Sequence, residues 1–198
     1  MKKGHDMHIR NLTLLVLAAA APAAWAHGQG AHTHDAGLIA GMLHPFSGLD
    51  HLLAMVAVGL WAAQQGGRAL WVLPLSFISA MAIGAAMGMA GVTFAVMEAG
   101  IALSVLALGV LVALRRRMFL PLAALLTGLF ALFHGVAHGQ EMPLAASPWG
   151  YGLGMLAATA LLHGLGAFAG MQVRQRLLGL TGTAITLAGI GMLFNLAG

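Results

Sequence analysis

Apolar runs about as long as a bilayer is thick follow one another along the chain, parted by short polar or glycine-rich breaks. At roughly 20 residues per span, the pattern predicts transmembrane helices over 43–64, 69–90, 93–114, 118–139, 150–171 and 177–197. The breaks are Gln65-Gly66-Gly67-Arg68, a tight Gly91-Val92 turn, Arg115-Arg116-Arg117, a loop over 140–149 with Pro143 and Pro148, and Val173-Arg174-Gln175-Arg176. The predicted class is an all-α integral membrane protein: a cleavable N-terminal signal peptide, then a bundle of six transmembrane helices.

The signal peptide is read from the first 26 residues. Lys2, Lys3 and Arg10 precede an apolar stretch over 11–21, and Pro22 leads into Ala24-Trp25-Ala26. That is the basic, apolar, small-x-small order of a secretory signal cut after Ala26. Its apolar core, about ten residues, is too short to span comfortably. The predicted organisation is a signal peptide over 1–26, a short His-rich periplasmic segment over 27–42, and a six-helix transmembrane domain over 43–198 in the bacterial inner membrane. With the mature N-terminus periplasmic, the first, third and fifth connectors face the cytoplasm. Arg68, Arg115, Arg116, Arg117, Arg174 and Arg176 all fall in or beside those three, as the positive-inside rule requires.

Composition sharpens this picture. Charged residues make up 7% of the chain and hydrophobic ones 60%, against roughly 25% charged in soluble domains. The pI near 10.8 and net charge of +4 do not signal nucleic acid, because nine Lys and Arg spread over connectors form no continuous basic face. Without cysteine there is neither a disulfide nor a thiolate site, so a metal must be held by imidazole, carboxylate, backbone oxygen or thioether. The 13 Met are scattered through apolar spans without repeated pairing, as core filling is. Glycine clusters such as Gly84-Ala85-Ala86-Met87-Gly88 and Gly164-Leu165-Gly166 suit close helix approach. Ten histidines in so apolar a chain are the anomaly.

Two constellations hold most of the chemistry. In the first, His44, Asp50 and His51 enter a segment that otherwise reads as membrane-buried, where a charge costs about 2.5–3.5 kcal/mol at the centre of a span. Seven residues separate the two histidines, so on one helix beginning near His44, with Pro45 in its first turn, both point to one face. In the second, His134 and His138 stand at i, i+4 and Glu141 follows at i+3, so a persisting helix puts all three on one face. Two imidazoles with a carboxylate, as ligand or as acceptor for an imidazole N–H, favour borderline divalent ions such as Ni²⁺, Co²⁺ or Zn²⁺. Weaker candidates are His27, His32 and His34, which would collect the ion outside the membrane, and Glu98 and His163, which would line an inward path. No G-x-x-x-x-G-K-[ST] sequence occurs, so the chain has no P-loop of its own and transport would draw on a gradient. The alternative is a membrane-embedded Zn-dependent hydrolase, with His134, His138 and His163 as ligands and Asp50 or Glu141 as base.

His44-Pro45-Phe46-Ser47-Gly48-Leu49-Asp50-His51 matches an HPxxGxDH signature, and Phe133-His134-Gly135-Val136-Ala137-His138-Gly139-Gln140-Glu141 an FHGxAHGxE signature. With these motifs and its span layout, the chain resembles the HupE/UreJ family of nickel permeases over its whole length. The resemblance implies secondary uptake of Ni²⁺, or of Co²⁺ in some members, for maturation of hydrogenase or urease. It makes His44, Asp50, His51, His134, His138 and Glu141 the transport-site residues. The metal is then substrate rather than resident cofactor, and a cytoplasmic nickel chaperone or maturation system is the implied acceptor.

Overall fold

The computed structural model describes residues 33–143 and 147–197. The expected signal peptide over 1–26, and His27 and His32, lie outside the described residues. Those described form helices α1 (Thr33–Leu43), α2 (Leu49–Gln65), α3 (Ala69–Met89), α4 (Met97–Ala113), α5 (Leu120–Gln140), α6 (Pro148–Gln172) and α7 (Gln175–Ala197), with a 3₁₀ turn over His44–Phe46 between α1 and α2. No strand occurs among the described residues. Helices α3, α5, α6 and α7 are each long and apolar enough to cross a membrane. The segments Gly37–Phe46 and Leu49–Gln65 pass that test together but meet at 80°, and α4 is a shorter apolar helix. The chain is therefore a helical membrane protein.

Three expected elements differ from those found. The span predicted over 43–64 sets His44 and His51 on one helix; instead His44 occupies the 3₁₀ turn, Gly48 is extended (φ −106°, ψ 119°), and the helix starts at Leu49. Pro45 does sit at a helical first turn, where its missing N–H leaves no donor unpaired, but that turn ends at Phe46. His34 falls in the first turn of α1, so part of the expected polar tail is helical. The expected tight turn at Gly91-Val92 is a longer non-helical link, since α4 begins only at Met97. It opens at Gly91, whose φ of 86° suits a residue without Cβ.

Lipid offers no hydrophobic drive for helices to associate, so close backbone contact must hold the bundle together. The sequence supplies it with glycine. A Cβ on Gly135 or Gly139 of α5 would collide with the Met81 or Ala85 carbonyl of α3, and one on Gly84 or Gly88 would strike α5 in return. Gly59 of α2 lies against His163 and Gly166 of α6, and Gly109 of α4 against Thr186 of α7. The most extensive contacts between helices are accordingly α3 with α5, α4 with α7 and α2 with α6, while α1 packs along α6. Large side chains such as Trp71, Phe119, Leu125, Trp149 and Phe194 point outward, as a lipid-facing surface requires.

One end of the bundle holds the arginines. There Trp61 Nε1 donates to the Arg116 carbonyl (2.9 Å), Gln64 Nε2 to the Val112 carbonyl (3.0 Å), and the Met118 N–H to Gln65 Oε1 (2.9 Å). These bonds tie α2 to the link between α4 and α5. The histidine motifs lie toward the other end.

Candidate metal site

The break between α1 and α2 is what delivers three polar side chains to one place. Because Gly48 is extended, α2 restarts with Asp50 in its first turn, and Asp50 Oδ1 accepts both the His51 backbone N–H and its ring Nδ1–H, each at 2.8 Å. A Cβ on Gly48 would come within 2.7 Å of Asp50 Oδ1 and 3.0 Å of His51 Nδ1, so this pairing needs glycine. With Nδ1 engaged, His51 turns a free Nε2 lone pair inward, buried and unpartnered among the described residues. The 3₁₀ turn closes on itself, the Ser47 hydroxyl donating to the His44 carbonyl at 2.6 Å, and His44 Nε2–H donates to Glu141 Oε2 at 3.0 Å.

From the facing helix α5 come His134 and His138, which are 0% and 1% exposed. One turn apart, they face α2 because Gly135 and Gly139 turn the adjacent side of α5 to α3. The Ser104 hydroxyl of α4 donates to the Ile101 carbonyl (2.7 Å) and accepts from His134 Nε2–H (2.8 Å). This puts the His134 proton on Nε2 and leaves Nδ1 bare. Neither nitrogen of His138 has a partner among the described residues.

The imidazoles touch in series. Ring centroids are 4.8 Å apart for His44 and His138, 4.3 Å for His138 and His51, and 4.7 Å for His51 and His134. One donor atom from each of His44, His138 and Glu141 lies within 4.8 Å of the others. Glu141 caps α5, just beyond the helix. Its hydrogen bond from His44 holds the carboxyl below the usual glutamate range, against an opposing push from partial burial.

All six motif residues thus meet, although His44 arrives from the turn rather than from the helix bearing His51. Of the weaker candidates, His163 and Glu98 do not join them, while His27, His32 and the side chain of His34 lie outside what is described. His163 is buried one turn farther along the bundle, with Phe77 against it, so the His134, His138 and His163 triad of the hydrolase alternative is not assembled. Glu98, expected on an inward path, is in the first turn of α4 at the histidine end. With Asp50, Met192 and Asn195 it lines a cavity of about 200 Å³. Residues that sequence reasoning missed are Ser104, Phe77 and Tyr151, the last with its ring 5.6 Å from His44. For Ser104 and Tyr151 a signal existed, since each is a polar group inside an apolar run.

Comparison with known proteins gives the family. The model of a family described as HupE / UreJ protein matches residues 14–193. Protein HupE of Rhizobium leguminosarum bv. viciae is 44% identical over 164 residues, covering 81% of this chain and 86% of the relative. No solved structure matches. The match spans both histidine motifs, and the chain belongs to the HupE/UreJ family.

Proposed function

We propose that this protein carries Ni²⁺, with Co²⁺ as the nearest competitor, inward across the bacterial cytoplasmic membrane without ATP, supplying the maturation of hydrogenase or urease. The observation that carries the reading is the run of touching imidazoles from two different helices and a helix break, with bare nitrogens at His51, His134 and His138 buried inside an apolar bundle. Unpaired buried polar groups are costly, and a passing cation is the partner that makes them useful. Neutral imidazoles beside carboxylates suit borderline ions better than oxygen-seeking or sulfur-seeking ones. The resemblance of both motifs to nickel permeases supports the same cargo.

Glu141 and His44 form the mouth on the periplasmic side, and Asp50 orients His51 and offsets the ion's charge. The six crossings of this reading are α3, α5, α6 and α7 together with α4 and the bent pair of α1 and α2. At 17 residues, α4 lies at the short end of the spanning range of about 17–25 residues. The arginine-bearing end is then cytoplasmic, and the released ion passes to a chaperone or maturation protein there.

The test is accumulation of radioactive Ni²⁺ by cells producing the parent, His138→Ala or His134→Ala at equal membrane levels, with Co²⁺, Zn²⁺ and Cu²⁺ as competitors. Accumulation should fall to the background of cells lacking the chain in both variants, and Co²⁺ should compete best. Parent-like uptake in either variant removes the proposed mechanism.

A further inference from the structure

Beyond the cluster, a single phenylalanine ring touches both it and another buried imidazole. His163 on α6 is 1% exposed, and neither ring nitrogen has a hydrogen-bond partner among the described residues. Phe77 of α3, wholly buried, meets His163 edge to face with centroids 5.0 Å apart and meets His134 at 5.8 Å. The levels follow from the packing. Thr159 of α6 reaches Met81 Sδ at 3.8 Å, and Gly135 of α5 packs on the Met81 carbonyl, so these residues and His134 share one level. Phe77 and His163 each lie four residues from that level on their own helices, one turn of about 5.4 Å nearer the arginine-bearing end.

Resting on the transport reading, we propose that His163 is the next station of the cation, one turn inward from the histidine cluster. A packing role explains His163 poorly, because leucine would fill the same space without burying two unpaired nitrogens. A lone imidazole has the property that a release step needs. It offers one lone pair and no carboxylate, so it accepts the ion without caging it.

The experiment uses the full chain in proteoliposomes, with ⁶³Ni²⁺ flux and equilibrium Ni²⁺ binding measured separately for the parent, His163→Leu and His163→Gln. Leucine at 163 should leave binding within about twofold of the parent and cut flux about tenfold or more, a loss confined to the transfer step. It should melt no lower than the parent, since an unpaired buried imidazole is replaced by an apolar side chain. Gln, which keeps a donor atom, should restore part of the flux. Parent-like flux in His163→Leu overturns the station, and binding lost together with flux assigns His163 to the outer cluster and overturns it equally. A parent that binds Ni²⁺ but moves none removes the transport reading itself, a result distinct from any of these.

Discussion

In the proposed metal site, two polar side chains set where the proton sits on the imidazoles they touch. The Asp50 carboxylate fixes the tautomer of His51, and the Ser104 hydroxyl that of His134. Partners of this kind are typically worth about 10- to 100-fold in metal affinity. Ser104→Ala should therefore weaken Ni²⁺ binding by a factor in that range, read by titration calorimetry, while leaving the melting temperature nearly unchanged. Unaltered affinity would mean that His134 needs no such support. Glu141 gives a pH prediction whose sign is set by its depressed carboxyl value, caused first by the hydrogen bond from His44. A carboxyl lowered in the folded state stabilises the fold above its unfolded value, and that contribution is lost as pH falls through the folded one. The melting difference between the parent and Glu141→Gln should hold steady near neutral pH and close only below about pH 4, and the test is a pH series of melts in detergent. At this scale the sequence was legible wherever a charged or imidazole side chain broke an apolar run, which found all six motif residues. Ser104 escaped because a serine in a membrane helix commonly bonds its own backbone. Ser104 does that too, and the bond it accepts from His134 shows only once α4 and α5 are packed.

Among elements, placement of the histidines depends on how closely α5 rides on α3. The two faces are reciprocal, Gly84 and Gly88 set against Gly135 and Gly139, and each α5 glycine follows a site histidine in the chain. A methyl on Gly135 has no space beside the Met81 carbonyl. Gly135→Ala should then push α5 off α3 and destabilise the protein by about 1–3 kcal/mol, with Ni²⁺ affinity falling in the same variant because His134 moves with its helix. Gly152→Ala, where an added Cβ meets nothing within 4 Å, serves as the control and should change neither. Equal melting of Gly135→Ala and parent would show that the approach is looser than this packing implies. Most helices were readable from runs of apolar residues, because length and hydropathy decide a span. The break at Ser47 and Gly48 was not. Pro45 reads equally well as the first turn of a long helix or of a 3₁₀ turn, and the two are told apart only by the extended Gly48 that follows, where a Cβ would crowd the Asp50 and His51 pair.

Across the whole molecule the three most extensive helix pairs form a pattern. Exchanging α2 with α5, α3 with α6 and α4 with α7 turns the α2 and α6 contact into that of α5 and α3, and leaves the α4 and α7 contact in place, though the lesser contacts of α2 with α3 and α4 have no comparable counterpart among the described residues. For those three pairs this is the arrangement expected of two three-helix halves inserted in opposite senses, as in inverted-repeat transporters. The polar groups do not obey it, since the imidazoles gather toward one end and the arginines at the other, and the direction of net movement is set by the electrochemical gradient. A divalent cation crossing toward a negative interior gains about 4.6 kcal/mol per 100 mV, twice the single-charge value. At about 1.4 kcal/mol per factor of ten, 100 mV supports accumulation of roughly 10³-fold. Proteoliposomes holding potassium, diluted into sodium buffer with valinomycin and no ATP, should therefore concentrate Ni²⁺, and reversing the potassium gradient should abolish the accumulation. Each additional 50 mV should raise the final ratio by roughly 50-fold while the ion moves alone, and a shallower slope would reveal a cation leaving in exchange. A final ratio that ignores the potential would leave the imidazole cluster a binding site and not a path.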